Sequence, residues 1–387
     1  MPSELLLTAF DVHGQLFAFM FRLPLTATKS TRQVKANKTP LWKLTPWICF
    51  MGMLLLHGVG TSGYLLVTER FHKRKCVNVA NYIVFLLYYT AYSGTFYLAL
   101  LSYRYTKEAV VGTNRLMDLE RRLSKRFQRI VRGLESHFDI RGITAVGQMF
   151  IAFLSPFPFA FMIVFENMDA AYFILRDFLP DPTIWSGKTI LVCWAFRLIV
   201  LLPCTYEVAR TISLLMACFL CGLETYMRIL RIIFRMDRQN FFFYYPQFRL
   251  IHLTFKGLLD ELMACGILCM FLTLIFLLWC SVRAFGRIHW FLYWSMFSMV
   301  IIFIIISLLC FPLVVELYDS SVVMIRKWRL IYYSRWDFKK MRKRIARAQP
   351  PIYFSCYKFF LFKKQSMVAF YASVVECWLT SVLMFKL

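Results

Sequence analysis

The sequence lacks the residue patterns of catalytic and metal sites. It contains no Ser/His/Asp set, no phosphate-binding loop and no paired-carboxylate motif, and its six histidines do not cluster. Cys218-x-x-Cys221 has half of the spacing of a zinc site, but no second pair lies nearby. Most of the twelve cysteines lie inside apolar stretches, where a thiol behaves as a small hydrophobe, so we expect no disulfide framework. We therefore expect neither an enzyme nor a protein that depends on a metal or cofactor.

Acidic residues are also scarce. The chain has 21 Asp and Glu against 46 Lys and Arg, which gives a formal net charge of +25. In a soluble protein this balance would suggest binding to nucleic acid. Here 59% of the residues are hydrophobic, 18% are aromatic and the mean hydropathy is +0.58, far above the values of soluble proteins. Lysine and arginine accumulate on the cytosolic loops of membrane proteins, so we expect membrane lipid rather than nucleic acid as the partner of this charge.

Long apolar stretches dominate the chain and predict its fold class. Because these stretches are continuous rather than alternating, they indicate helices and not strands. Each holds the roughly 20 residues that cross a bilayer. The chain is therefore predicted to be all-α, one polytopic membrane domain over residues 1–387. The expected spans are 46–67, 77–101, 142–166, 189–212, 257–280, 289–316 and 366–386.

The distribution of basic residues predicts the orientation. Roughly 35 of them fall in the N-terminal segment and in alternate connections, against roughly nine in the other connections and the C-terminal tip. This split places the N-terminus in the cytosol and, after seven spans, the C-terminus outside. G-protein-coupled receptors have the opposite orientation, and their Asp-Arg-Tyr and Asn-Pro-x-x-Tyr signatures are absent. The apolar stretch from Leu5 to Phe21 has no basic residue before it, so we expect a helix on the inner leaflet rather than a signal peptide.

Two helices are predicted to continue beyond the membrane into the cytosol. Apolar residues recur every three or four positions from Leu116 to Leu134, and this stripe either packs on other helices or lies on the inner membrane surface. The fourth span has only Pro203 as a breaker between Ile190 and about Met236, which predicts a helix of about 70 Å. On that helix Glu207 and Arg210 should pair locally. Arg197 lies deeper and should line a cavity or extend to the outer surface.

The segment before the last span resembles insect odorant receptors. That family has Arg-Ala-Gln-x-Pro, six residues and then Lys-Phe-Phe at this point. The matching residues here are Arg347, Ala348, Gln349, Pro351, Lys358, Phe359 and Phe360. The preceding "YYSRW", which ends in Trp336, looks like the family's Tyr-x-x-x-Trp element. The final "CWLTSVLMF" has the spacing of the related gustatory receptors' Thr-Tyr and Gln-Phe, but only Phe385 matches, which favours an odorant over a gustatory receptor.

The resemblance implies a ligand-gated cation channel, a tetramer whose pore is lined by the last helix. It implies olfactory sensory neurons, and the plasma membrane of their dendrites, as the location. In that fold the matched residues around 336–360 would anchor the cytosolic domain where subunits meet. Pro350 and Pro351 should end a cytosolic helix, and the following aromatic residues should anchor the pore helix at the inner membrane interface. The 223–256 connection is compact and lacks the long insertion of the obligate co-receptor, so the chain resembles a tuning subunit that partners it.

Aromatic residues in the outer halves of four spans are the candidates for binding a small volatile, apolar odorant. Four of them recur at spacings of three and four in the second span, which places them on one face. The candidates are Phe85, Tyr88, Tyr89, Tyr92, Phe150, Phe153, Trp194, Tyr293 and Phe297. Each ring could equally be ordinary helix packing or part of an interfacial belt.

For the gate, the register of the family suggests Ser381 and Phe385, one turn apart, with Met384 pointing away from the axis. Two other functions stay open at this point: a gustatory receptor of the same fold, and a polytopic transporter. A transporter should show repeated halves with interrupted helices, and the sequence shows no such repeat.

Overall fold

The structure, a computed structural model, describes most of the 387 residues. The described parts are 4–21, 25–28, 33–36, 41–65, 67, 79–132, 139–178, 186–254, 256–283, 285–286, 290–333, 349–356 and 360–384. The α-helices, in chain order, are α1 Glu4–Leu16, α2 Leu41–Leu54, α3 Val79–Arg104, α4 Thr106–Arg126, α5 Gln128–Arg132, α6 Ile140–Leu154, α7 Pro156–Phe165, α8 Ala170–Phe178, α9 Gly187–Arg235, α10 Arg238–Thr254, α11 Lys256–Arg283, α12 Trp290–Tyr333 and α13 Lys364–Met384. A π-helix, π1, covers Leu55–Thr61 and continues α2.

Among the described residues, strands occur only in two short antiparallel hairpins. β1 (Leu25–Thr28) pairs with β2 (Gln33–Ala36), and β3 (Ser355–Cys356) pairs with β4 (Phe360–Leu361). The predicted all-α polytopic class is confirmed. Within the ranges given above, seven helical stretches are long and apolar enough to cross a membrane: Thr45–Leu65, Val84–Arg104, Ile140–Phe165, Gly187–Arg235, Lys256–Val282, Met296–Arg329 and Lys364–Met384. The orientation of the termini stays a prediction, and "outer" and "inner" below refer to it.

Helix α9 runs through the whole bundle. The side chain of Ser186 caps its start by accepting a hydrogen bond from the Thr189 amide at 3.3 Å, and the chain turns to extended geometry at Met236. Its 49 residues span about 74 Å, over twice the thickness of the hydrocarbon core, in agreement with the length predicted from the sequence. Because this one helix runs from the outer to the inner end of the bundle, it contributes buried side chains at both ends.

A large inner cluster of apolar side chains holds the extramembrane ends of the helices together. The stripe residues Leu116, Leu119 and Leu123 of α4 are buried in it, against the inner part of α9 and against α10. Of the two alternatives for this stripe, the structure therefore shows packing on the same chain. The cluster is completed by side chains of α11, α12 and the 352–362 segment.

The segment 349–354 passes through this inner cluster as extended chain. Ile352 and Phe354 are buried, and the Phe354 ring lies 5.6 Å from Tyr226 and 5.9 Å from His252, centroid to centroid. Phe354 is thus covered by other segments of the chain, and the interfacial position of the aromatic residues after Pro351 stays a prediction. Backbone carbonyls left without a helix partner accept from side chains instead, because a buried polar group needs a hydrogen bond. These bonds are Tyr245 Oη to Pro350 O at 2.7 Å, Ser321 Oγ to Ile352 O at 3.0 Å and Arg329 Nη2 to Gln349 O at 3.3 Å.

The N-terminal helix α1 packs on the bundle. Leu6, Leu7 and Phe10 are buried against α6 and the middle of α9. His13, at the end of the same face, lies with its Nε2 3.2 Å from the Arg210 carbonyl oxygen. The helix predicted for the inner leaflet thus exists, and its apolar face covers other helices of the chain.

The last helix, α13, is the least covered of the seven spans. Only 6% of its most apolar stretch is buried inside the chain, against 22–39% for the other six spans. Val374 is buried, and Trp378 and Val382 lie partly buried against apolar side chains in the outer part of the bundle. One face of the helix therefore contacts the bundle. The opposite face is exposed along its length, with Val368, Ala372, Glu376, Leu379 and Leu383 all on it.

Candidate functional site

The candidate ligand site is an outer aromatic cluster formed by the first five spans, α12 and α13. Its buried members include Trp47, Tyr88, Tyr92, Trp279 and Cys204, and Trp194 and Trp378 lie partly buried against it. The Tyr88 and Tyr92 rings of α3 stack at 5.2 Å between centroids with an interplanar angle of 3°. Phe159 of α7 meets Tyr88 edge-on at 6.4 Å. Such a cluster offers a flat apolar surface with a few polar groups, which suits a small apolar ligand.

Hydrogen-bond donors in this cluster are buried without partners. The hydroxyls of Tyr88 and Tyr92 and the indole nitrogens of Trp279 and Trp378 have no hydrogen-bond partner among the described residues. Tyr88 and Tyr92 are 5% and 1% exposed, so bulk water does not reach them. A buried polar group without a partner is costly, and native proteins satisfy it with water or a ligand. Because indole N–H groups only donate, these four groups together favour a partner that accepts hydrogen bonds.

A glycine allows the Tyr92 ring to lie against the backbone of the first span. A Cβ atom on Gly58, within π1, would overlap the Tyr92 side chain. π-Helical segments inside α-helices occur often at functional sites. Gly63, about one and a half turns further, faces Tyr89 instead, and a Cβ there would lie 3.6 Å from that ring, which is an ordinary contact.

A buried ion pair closes the outer end of this region. Arg197 donates from Nε to both carboxylate oxygens of Asp169, at 2.9 and 3.1 Å, and from Nη2 to Asp169 and to the Val164 carbonyl. Its Nη1 donates to Asn167 Oδ1 at 2.8 Å, and Asn167 has a positive φ of 55° in the turn after α7. Asp169 also accepts from the Tyr172 amide at 3.0 Å. Arg197 is thus paired inside the protein, and at 2% exposure it does not reach the outer surface.

The predicted pair Glu207–Arg210 is present and is part of a larger network. Arg210 Nη2 lies 2.5 Å from Glu207 Oε2, and both residues are buried. Trp47 donates its indole N–H to Glu207 Oε1 at 3.1 Å, and Arg210 Nη1 donates to the Phe21 carbonyl at 2.5 Å. The network therefore joins the first span, α9 and the end of the N-terminal segment.

The structure separates the nine aromatic residues that the sequence grouped for ligand binding. Phe85, Tyr88 and Tyr92 are buried on one face of α3, although Phe85 packs on Phe173 of α8 rather than in the main cluster. Tyr89 is 39% exposed and lies off that face. Trp194 is partly buried at the edge of the cluster, with its ring 5.7 Å from that of Phe165.

The candidates of the other two spans, the third and the sixth, lie apart from the outer aromatic cluster. Phe153 packs on Phe17, Phe19 and Tyr206, towards the N-terminal segment, and Phe150 is exposed. Tyr293 and Phe297 stack at 6.3 Å near the outer start of α12.

Few of the predicted anchor and gate residues can be placed. Trp336, Arg347, Lys358, Phe359 and Phe385 lie outside the described residues, and for Phe360 only the backbone, in β4, is described. Gln349 and Pro351 are half-buried at the edge of the inner cluster, and the Gln349 carbonyl accepts from Arg329.

Ser381 is half-buried and lies about 140° around α13 from the exposed residue Glu376, at 3.6 residues per turn. Met384, which was expected to point away from the axis, is 75% exposed.

Several residues of the site were missed in the sequence. Asp169 stands at the end of the third span in "FENMDAA", and a search for an acid at the same depth as Arg197 would have found it. Trp279 and Gly58 carry no local signal, because their importance depends on what packs on them.

The fold is that of insect olfactory receptors. The structure of the insect olfactory receptor OR5 from Machilis hrabei superposes with a TM-score of 0.61 over 96% of each chain, at 8% sequence identity. The structure of the same receptor in complex with eugenol gives a TM-score of 0.57 over 98% of each chain, at 10% identity. No protein-family model matches the sequence, and a search of curated proteins finds no significant match. The expected odorant receptor fold is therefore confirmed by three-dimensional similarity.

Proposed function

We propose that this protein, a multi-pass membrane protein with the insect olfactory receptor fold, is the odorant-binding (tuning) subunit of a heteromeric ligand-gated cation channel. It would act in the plasma membrane of olfactory sensory neurons together with the co-receptor. The observation that carries the proposal is the outer aromatic cluster, whose buried donors have no partner in the part of the chain that the structure describes. The fold includes a receptor solved with eugenol.

The ligand is a small volatile molecule with an apolar body and an acceptor oxygen. The stacked faces of Tyr88 and Tyr92 would contact the body, and their hydroxyls would donate to the oxygen. A ketone, ester or aryl ether fits this description, whereas a pure hydrocarbon would leave the donors without partners. Of the predicted ligand residues, Tyr88, Tyr92 and Trp194 are therefore the ones that we assign to the site.

The short connections between cytosolic helices support the role of a tuning subunit. Helix α9 ends at Arg235 and α10 begins at Arg238, so only two residues separate them. A single residue separates α10 from α11. This second cytosolic connection thus has no room for the long insertion that the resemblance associates with the co-receptor.

The exposed face of α13 supports assembly into an oligomer around a pore. In a single chain the other helices cover very little of the surface of this apolar span, and neighbouring subunits would cover more of it. The 349–360 segment, next to the inner cluster, would then contribute to subunit contacts near Gln349 and Pro351.

Electrophysiology tests the proposal. The chain is expressed in cells with and without the co-receptor, and a panel of matched volatile ketones, esters, ethers and hydrocarbons is applied. We expect cation currents only with both subunits, evoked by acceptor-bearing ligands, and unchanged when G-protein signalling is blocked. Robust current from this chain alone would contradict the tuning role, and ligand responses that depend on G proteins would contradict the channel itself.

A further inference from the structure

We propose that His252 and Asp260 are positioning residues for channel opening. They hold the segment that leads into α13, so that a ligand-driven movement of the outer bundle moves the last helix against a fixed base. The inference rests on the proposed channel function and adds the residues that set how efficiently a bound ligand opens the pore.

Three polar side chains recur every four residues across the junction of α10 and α11. This polar row consists of His252 in the last turn of α10 and of Lys256 and Asp260 at the start of α11. A single residue separates the two helices. All three side chains bind the same short segment, 353–355, which lies about a hundred residues further along the chain. The row is therefore a tertiary contact and not a local one.

Asp260 and Lys256 bind side chains of this segment. The Ser355 hydroxyl donates to Asp260 Oδ1 at 2.7 Å, and Ser355 is 2% exposed. A hydrogen bond to a carboxylate is about twice as strong as one between neutral groups. The Lys256 ammonium lies 3.4 Å from the Tyr353 hydroxyl oxygen and 4.8 Å from the centre of its ring. The start of α11 thus contacts the segment at two points, two residues apart.

His252 links the same segment to α9. Its imidazole makes a hydrogen bond with the backbone of Tyr353, and its Nδ1 lies 3.1 Å from the hydroxyl oxygen of Tyr226. His252 is 5% exposed, and the rings of Tyr226 and Phe354 lie 5.7 and 5.9 Å from it, centroid to centroid. A shift of the segment would leave these buried polar groups without partners, which is costly.

The segment that is held in this way leads directly into α13. Ser355 begins β3, which pairs with β4, and only two residues separate β4 from α13. The Ser366 hydroxyl, in the first turn of α13, donates to the Leu361 carbonyl of β4 at 2.8 Å. The hairpin is therefore joined to the helix by a hydrogen bond as well as by the chain. Because Ser355 is fixed to α11, the inner end of α13 is fixed to the bundle, and a movement of its outer end becomes a tilt.

Glu261, the neighbour of Asp260, provides the matched control. It is also a half-buried carboxylate in the second turn of α11. Its Oε1 accepts from the hydroxyl of Tyr105, between α3 and α4, at 2.5 Å. Glu261→Ala therefore removes a carboxylate and a hydrogen bond from the same turn without releasing the 353–355 segment.

Hydrogen–deuterium exchange of the purified full chain tests whether the two residues hold the segment. Backbone amides exchange through local opening, whose free energy reflects the contacts that must break. We expect the amides of 352–361 to exchange at least about tenfold faster in Asp260→Ala and in His252→Ala, and at the parent rate in Glu261→Ala. Unchanged exchange of this segment in the first two variants, or a rise spread over the whole chain, would overturn the inference.

Ligand-evoked currents test whether the fixed base serves opening. With the co-receptor present, Asp260→Ala should lower the maximal current per channel at the surface by at least about threefold. The factor should be the same for ketones, esters and hydrocarbons, because the outer aromatic cluster is unchanged. Asp260→Asn, whose amide oxygen accepts from Ser355, should recover most of the current, and Glu261→Ala should match the parent.

The failure of the inference differs from the failure of the proposed function. Normal maximal currents in Asp260→Ala and His252→Ala would overturn the inference and leave the proposed function intact. A loss that depends on the class of ligand would also overturn it, since the residues would then act on the ligand site. If the unsubstituted chain gives no ligand-evoked current with the co-receptor, the proposed function fails, and the exchange rates alone decide whether the polar row holds this segment.

Discussion

Arg197 and Asp169, 28 residues apart in sequence, form a bidentate ion pair that is buried at 2% and 1% side-chain exposure. The pair ties α9 to the turn between α7 and α8, and the Val164 carbonyl and Asn167 share the guanidinium. Because this turn covers the outer aromatic cluster, the pair holds one wall of the candidate ligand site.

Removing one partner of this pair should be far worse than removing both. Arg197→Met leaves a buried carboxylate without its cation, which costs about 3–5 kcal/mol, whereas the double substitution Arg197→Met with Asp169→Leu should be close to neutral. We expect surface expression and the melting temperature to fall in the single variant and to recover in the double. The measurement is fluorescence-detected size exclusion after heating. Equal losses in both variants would show that the remaining contacts of Arg197 with Asn167 and Val164, rather than the ion pair, stabilise the turn.

Adding a methyl group at Gly58 should disturb the ligand site selectively. The new Cβ would overlap the Tyr92 ring, so the ring must move, while alanine is about 1 kcal/mol better than glycine in a helix. We therefore expect Gly58→Ala to reach the surface but to respond to ligand at least about tenfold less sensitively, the change that about 1.4 kcal/mol produces. Gly63→Ala is the matched control, since its Cβ meets Tyr89 at 3.6 Å without overlap. Normal dose–response curves for both variants would show that the position of the Tyr92 ring does not affect ligand binding.

Removing the Tyr88 or Tyr92 hydroxyl should change the class of ligand that is preferred. Phenylalanine keeps the stacked ring but removes the donor, and a hydrogen bond contributes about 0.5–1.5 kcal/mol, or roughly a two- to twelvefold change in half-maximal concentration. We expect Tyr88→Phe and Tyr92→Phe to weaken responses to ketones and esters but not to hydrocarbons of the same shape. Tyr89→Phe, at an exposed position, should change neither response. Parallel shifts for both ligand classes would indicate that the hydroxyls bind water and not the ligand.

Acidification should destabilise the protein through two buried histidines. Burial lowers the pKa of His13 to about 4 and that of His252 to about 4. The charge of Lys256 lowers the pKa of His252 further, whereas backbone hydrogen bonds, to Arg210 for His13 and to Tyr353 for His252, oppose the shift. An unfolded histidine takes up its proton near pH 6.5, so between about pH 6.5 and 4 the unfolded state binds more protons. The stability is therefore complete above pH 6.5 and is lost as the pH falls, by about 2 kcal/mol per histidine at pH 5.

Thermal unfolding of the purified protein at pH 7 and pH 5 measures this effect. His13→Gln and His252→Gln should each reduce the difference between the two melting temperatures, because glutamine does not titrate. The carboxylates contribute equally to the pH dependence of the parent and of the two variants, so their effect cancels in the comparison. A pH dependence that is identical in the parent and in both variants would mean that neither imidazole is held neutral by the fold.

Local properties of the sequence determined the fold class. Apolar runs of span length, the single breaker in α9 and the spacing of Leu116, Leu119 and Leu123 each depend only on neighbouring residues. For the same reason the sequence placed Phe85, Tyr88 and Tyr92 on a common face of a helix, because their spacing follows from 3.6 residues per turn.

Only the tertiary structure decided which faces are covered and which charges are paired. Tyr89 shares the spacing of its neighbours but is 39% exposed. Arg197 is buried because the turn between α7 and α8 brings Asp169 to it, and Glu376 is exposed because α11 and α12 occupy the other side of α13. Burial is a property of contacts between segments that are distant in the chain, and hydrophobic periodicity within one helix carries no information about which partner reaches it.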